Sequence, residues 1–260
     1  MEKDLEWQIV SLEMDKYSKE LGGFFEKKWP ASILRKKLAK TLHHTKVVKD
    51  TLRDLLGATS GNLLVIYGSG YFHHYTYGLC GLAFEKNSCA SFSYLHIDAH
   101  DDRHNSFSTN SPHGLNCSNF VRAINNEYTS DCIWINQLSD KKGSKEVSWI
   151  QQDVYLSIDL DVTARKVVPT EYNRGELSFD KLAGFVQQIK RKKNLIGADI
   201  VGYAIPDKER LDSSTQYTNL RKRQAYFLYA SLASEITGID LPEFKKCYKE
   251  ISKEIAHLKK

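Results

Sequence analysis

Three apolar, strand-like runs in this chain break off into aspartates and histidines. Ala90-Ser-Phe-Ser-Tyr-Leu-His-Ile97 leads into Asp98-Ala-His100-Asp101-Asp102, and Val154-Tyr-Leu-Ser-Ile158 leads into Asp159-Leu-Asp161. Leu63-Leu-Val-Ile-Tyr67 closes at Gly68-Ser-Gly70 and is followed by Phe72-His73-His74. Near-continuous apolar runs of this length suit strands buried on both faces, which belong to parallel sheets covered by helices. In open sheets of that kind, ligands bind beyond the carboxyl ends of the strands. A chain that collects its ionisable residues there is expected to carry a binding site along one edge of its sheet.

The remaining pattern agrees. Cys132–Ile135 and Ile200–Ala204 supply two further strands. Helices are expected over Lys46–Leu56, Cys117–Ile124, Phe179–Lys190 and Arg223–Thr237, where apolar residues recur near helical spacing. Ser178 is a good N-cap for the third of these. A charged amphipathic helix is expected over Leu241–Lys260, beginning around Pro242 and offering a plausible place for a homo-oligomer contact. Strands alternating with helices, without a linker or repeat, read as one α/β domain spanning 1–260. The expected architecture is a three-layer αβα sandwich with a mainly parallel central sheet.

Composition narrows the partners. With 37 Lys+Arg against 32 Asp+Glu the chain is only mildly basic. Its basic clusters at 35–40, 190–193, 221–223 and 259–260 read as solvated helix faces. No helix-turn-helix, zinc finger or aromatic-plus-basic RNA-binding motif accompanies them, so nucleic acid is not an expected partner. The charged start, Met1–Trp7, lacks a signal-peptide core, and no apolar run approaches the roughly 18 to 20 residues that span a bilayer. A cytoplasmic protein without membrane contact is expected. The five cysteines include no CxxC pair and read as reduced thiols.

If the strand ending at Ile97 continued, residues 98, 100 and 102 would share one face, bringing two carboxylates and an imidazole together. Such a convergence is costly unless it holds a cation. In isolation, the first acidic cluster has a solvated loop as its alternative and the second a strand running out into a polar turn; side by side they favour a metal site. Mostly oxygen donors with a little nitrogen suit a hard divalent ion such as manganese. Four aspartates balance the charge of two such ions. The Gly68–Gly70 turn lacks the GxxxxGK[ST] pattern of a nucleotide site.

These motifs resemble those of the arginase/agmatinase (ureohydrolase) superfamily. Asp98-Ala-His100-Asp-Asp102 resembles that family's DAHxD motif, and Ser157-Ile-Asp159-Leu-Asp161 its SxDxD motif. His74 stands where the family's GGDHS motif places a remaining ligand, with His73 the competing choice. The resemblance implies a pair of Mn(2+) ions held by His74, Asp98, His100, Asp102, Asp159 and Asp161, with Asp102 also catalytic. Asn110-Ser111-Pro-His113-Gly looks like the SGNxHG loop, which makes His113 the expected general acid and assigns Asn110 and Ser111 to substrate binding.

Departures from the family pattern bear on substrate. The stretch after Asp161 is rewritten, and Gly202 stands where the family's guanidinium-gripping glutamate is expected. Glu171 or Glu176 is the candidate replacement. The resemblance implies hydrolysis of a guanidinium to urea and an amine. The rewritten loops point towards arginine within a peptide as substrate, and Tyr71, Phe72, Tyr75 and Tyr77 could line a groove for it. Alternatives are a ureohydrolase acting on free arginine, agmatine or a guanidino acid, a deacetylase-like amidohydrolase, and a non-catalytic binding module.

Overall fold

In the computed structural model, the described residues are 7–28, 33–38, 41–104, 114–129, 131–137, 150–164, 166–172, 175–205, 215–239 and 242–258. Seven strands pair in the order β2-β1-β3-β7-β6-β4-β5. They are β1 (Trp7–Glu13), β2 (Ile33–Lys37), β3 (Asn62–Ile66), β4 (Ser93–Ile97), β5 (Cys132–Ile135), β6 (Asp153–Asp159) and β7 (Asn194–Val201). Every pairing is parallel.

Among the described residues, seven α-helices cover the sheet: α1 (Lys16–Lys28), α2 (Thr45–Leu56), α3 (Thr76–Asn87), α4 (Phe120–Glu127), α5 (Phe179–Lys192), α6 (Thr215–Thr237) and α7 (Pro242–Leu258). Strand alternation sends successive side chains into two separate cores. On one face Ile9, Leu64, Ile66, Leu156, Ile158, Ala198 and Ile200 pack with Leu21 and Phe25 of α1, Leu182 and Val186 of α5, and Leu228 and Leu232 of α6. On the other, Val10, Leu63, Val65, Tyr94, Tyr155 and Ile196 meet Val48 and Leu52 of α2, Leu79 and Leu82 of α3, and Val121 and Ile124 of α4. The result is the expected αβα sandwich, with a wholly parallel sheet.

Several elements differ from the sequence reading. The basic stretch at 35–40 is not a helix face: Arg35, Lys36 and Lys37 lie on the edge strand β2, where Arg35 pairs with Glu13 and Glu26. Charged side chains on an edge strand also discourage pairing with other chains. Arg221, within another basic cluster, is 2% exposed and donates to the Lys166 carbonyl at 3.2 Å. β7 begins six residues earlier than the expected Ile200 and stops at Val201, because Gly202 takes a φ of +105°. The apolar face of α7 is covered by its own chain: Phe244 and Tyr248 join the core, and Ile251 and Ile255 pack with Leu220. Among the described residues, no helix is long and apolar enough to cross a membrane.

Candidate metal centre

The carboxyl ends of β3, β4, β6 and β7 lie side by side, and the turns leaving them supply the expected ionisable residues. The convergence does not arise from strand alternation. β4 stops at Ile97, and Asp98 folds back so that its Oδ1 accepts from the His100 amide at 2.7 Å. Asp102 takes a φ of +48°, a conformation that L side chains rarely adopt. After β6, a 3₁₀ turn over Leu160–Val162 is capped by Asp159, whose Oδ1 accepts from the Asp161 amide at 3.0 Å. Turns therefore aim these carboxylates at one another.

Asp98 stands between two groups of donors. Its Oδ2 lies 3.1 Å from His73 Nδ1, which is also 3.4 Å from Asp159 Oδ2 and 3.7 Å from Asp102 Oδ2. Its Oδ1 lies 3.3 Å from His100 Nδ1, which is 2.9 Å from Asp161 Oδ2. The first group is buried, whereas the His100 side chain is 34% exposed and marks the open side. The geometry thus brings together Asp98, His100, Asp102, Asp159 and Asp161.

Of the two histidines weighed for this position, the fold turns His73 and not His74 towards the carboxylates. His73 and His74 lie in a 3₁₀ turn, Gly70–Tyr75, whose tight winding sends consecutive side chains in different directions. His73 faces the carboxylates. His74 turns away, with its ring nitrogens 2.9 Å from the Leu42 carbonyl and 3.2 Å from the Tyr71 carbonyl, and its ring stacked on His43. Burial pushes its pKa down to about 4, so His74 is a neutral packing residue.

Partners behind His73 set its tautomer. Ser157 Oγ donates to Asp199 Oδ1 at 2.9 Å, so at its 2.8 Å contact with His73 it accepts from Nε2–H. Asp199, wholly buried, also accepts from Tyr155 at 2.9 Å, Thr76 at 3.2 Å and Tyr67 at 3.3 Å. A neutral His73 then directs the Nδ1 lone pair at three carboxylates. That nitrogen is buried and makes no hydrogen bond of normal geometry. An acceptor facing acceptors is a poor arrangement without a cation between them, and a divalent ion fits it. His73→Ala is accordingly expected to weaken metal binding at least about 100-fold, and His74→Ala to leave it intact, as read by metal content after dialysis.

The sequence reading missed three contributors. His96 reaches the cluster with Nε2 3.1 Å from the His100 carbonyl and 3.4 Å from Asp98 Oδ2, while Nδ1 meets the Tyr94 hydroxyl. Its period-two spacing from Asp98 was the available signal. Ser157 was visible only as a motif letter, and the roles of Ser157 and Asp199 depend on the register that sets them side by side.

Charge in the metal-free cluster is held by protons. Burial opposes a charge on His73, but Asp159 and Asp98 outweigh it and raise its pKa. Burial, then the charge of Asp98, raises Asp102 and Asp159 above the usual carboxylate range. Burial, then Asp159, pushes Asp161 up to about 8, and hydrogen bonds to Asp161 and Asp98 raise His100 to about 10. Groups whose pKa rises on folding hold protons that the unfolded chain has released, so stability falls as pH rises. For Asp161 the window runs from its ordinary 3.8 to about 8, and for His100 from 6.5 to about 10. Melting of chelated protein should show Tm falling across pH 5 to 8, with manganese reducing the fall. A Tm independent of pH in the chelated protein would contradict this charge assignment.

The substrate side is partly described. Asn110, Ser111 and His113 lie outside the described residues. Glu171 is exposed and accepts from Ser69 Oγ at 2.7 Å, on the turn that leads to His73. Glu176 is exposed beside the bridge between Thr163 and Leu177. Of the aromatic residues expected to line a groove, Tyr71 is exposed, Phe72 is half-buried, and Tyr75 and Tyr77 are wholly buried. Gly202 leaves no room for a side chain: a Cβ there would lie 2.1 Å from Asp159 Oδ1.

The chain shares its fold with solved arginases and related amidino-hydrolysing enzymes, at low sequence identity. It superposes on a manganese-containing variant of Trypanosoma cruzi formiminoglutamase with a TM-score of 0.63, at 13% identity over 91% of this chain and 95% of that one. Proclavaminate amidino hydrolase from Streptomyces clavuligerus gives 0.62, at 12% identity over 90% of each chain. Arginase from Helicobacter pylori gives 0.60, at 13% identity over 88% of this chain and 99% of that one. No family model and no curated protein matches the sequence.

Proposed function

We propose that this protein is a binuclear manganese hydrolase that cleaves the guanidinium of arginine to ornithine and urea, acting on arginine side chains within a peptide. The observation that carries the proposal is Asp98, whose two oxygens face two separate donor groups. His73, Asp98, Asp102 and Asp159 would hold one ion, and Asp98, His100 and Asp161 the other. The oxygen-rich set favours manganese over thiolate-seeking metals. The structural relatives, by name, are arginases, an amidino hydrolase and formiminoglutamases.

Bound divalent ions would supply Lewis acidity that makes water nucleophilic near neutral pH. The chain's own part is to position and to move protons. Asp102, beside His73 in the cluster, is the carboxylate assigned to take up the proton that water gives up. Ser157 and Asp199 fix the His73 ring. His100, on the open side, borders the approach of the substrate.

Gly202 favours the peptide reading. Without the glutamate that grips a guanidinium, recognition must come from the rewritten loops, and a peptide needs loops open enough to admit a main chain. Glu171 at the mouth favours the second reading, a ureohydrolase acting on a free guanidino compound. Urea release by manganese-loaded protein separates them, with free arginine, agmatine and internal-arginine peptides compared side by side. Urea from peptides alone is the expected result. Urea from a free compound alone would establish the second reading, and no urea from any of them, with two metals bound, would refute both.

A further inference from the structure

Three of the four exposed large apolar side chains among the described residues stand around this one site. Tyr71 is 54% exposed and Tyr172 is 39% exposed; Trp134, also 39% exposed, donates its indole N–H to the Asp98 carbonyl at 2.9 Å. Among the described residues no other Phe, Tyr or Trp side chain is exposed, so this grouping is a local feature of the mouth. Tyr71 and Tyr172 come from different turns and meet edge to face, with ring centroids 5.4 Å apart. Tyr172 also meets His100, the exposed imidazole of the cluster, at 6.2 Å.

Gly70 connects the aromatic pair to the buried carboxylates. A Cβ on Gly70 would lie 3.0 Å from Asp159 Oδ2 and 3.9 Å from Tyr172 Cδ2. The Tyr172 ring and an oxygen of the carboxylate cluster therefore both border the space that a Gly70 side chain would take, which this glycine leaves free. Glu171 places a carboxylate next to Tyr172 in the chain and is tied to the same turn through Ser69.

We propose that Tyr71 and Tyr172 are specificity-determining residues that stack on a planar cationic head group, a guanidinium, as it enters beside Gly70. The proposal rests on the hydrolase reading above and names the recognition that replaces the missing glutamate. Aromatic faces attract cations through the ring quadrupole, and a guanidinium adds planar stacking to that attraction. A neutral ureido group of the same shape receives the stacking without the cation–π attraction. The tyrosine pair therefore selects for charge as well as shape.

The test is calorimetric titration of manganese-loaded protein with N-acetyl-arginine amide and with its neutral counterpart, N-acetyl-citrulline amide. Urea is assayed in the same samples. Tyr172→Leu is expected to weaken arginine amide binding roughly 5- to 30-fold while changing citrulline amide binding much less. Tyr172→Phe, which keeps the ring, should restore most of the affinity. Equal loss for both ligands in Tyr172→Leu, no loss for either, or failure of the wild type to bind the guanidinium would overturn the proposal. Charge-selective binding without urea in any sample would support the aromatic assignment while refuting the hydrolase reading, so the two can fail separately.

Discussion

Asp159→Asn protein is expected to fold as the wild type does without metal, to retain only traces of manganese, and to lose hydrolysis by about a thousandfold or more. The argument rests on where this carboxylate sits. Its Oδ2 faces His73 and its Oδ1 caps the turn that positions Asp161, so it belongs to the buried heart of the cluster. Burial and the charge of Asp98 raise its pKa, so a negative charge at this position is disfavoured without metal. Asparagine removes that charge and can still accept the Asp161 amide through its carbonyl. Stability without metal should therefore change by no more than about 1 kcal/mol. With metal the two proteins part: a ligand that binds only the native state raises Tm, and the variant lacks the anionic donor. Thermal melts with and without manganese, alongside metal content by atomic spectrometry, check this directly. A variant whose Tm rises with manganese as much as the wild type would remove Asp159 from the ligand set.

Gly202→Ala is expected to be nearly as damaging while touching no ionisable group. The alanine methyl would lie 2.1 Å from Asp159 Oδ1 and 2.8 Å from the Leu160 amide nitrogen, both well inside contact distance. The φ of +105° is itself unfavourable for any residue with a Cβ. Relief requires either the Asp159 side chain or the β7 terminus to move. A shift of the Asp159 side chain separates it from His73. A stability loss of about 2–4 kcal/mol is expected, together with loss of tightly bound metal. Denaturant titration of the metal-free variant gives the first quantity, and equilibrium dialysis the second. Wild-type metal affinity in this variant would show that Asp159 can move without cost.

The chemistry of this site was legible where it is contiguous. Asp98, His100 and Asp102, and likewise Asp159 and Asp161, sit within a few residues of one another, so any fold that ends a strand there brings them close. The choice between His73 and His74 was not legible, since it depends on the winding of a 3₁₀ turn that residue spacing does not report. β2 was hidden because an edge strand can carry Arg35, Lys36 and Lys37, whose side chains look helical or merely solvated in sequence. α3 was hidden for the opposite reason: Thr76–Ala83 is buried throughout, so no polar face marks its period. The reading of β7 overran its C-terminal end because Gly202 was treated as one more strand residue, when its backbone conformation ends the strand.

The contact between Gly202 and Asp159 also bears on descent. In an ancestor with a glutamate at this position, its loss would have opened the space that the metal-facing carboxylate now fills. Once that space was taken, no single codon change at 202 could restore the acid without evicting Asp159. The return path would pass through a protein that binds metal poorly, which selection on activity would remove. A lineage in this state is held to whatever recognition it has built at the mouth of the site, and new specificities are expected to arise there, around Tyr71, Glu171 and Tyr172.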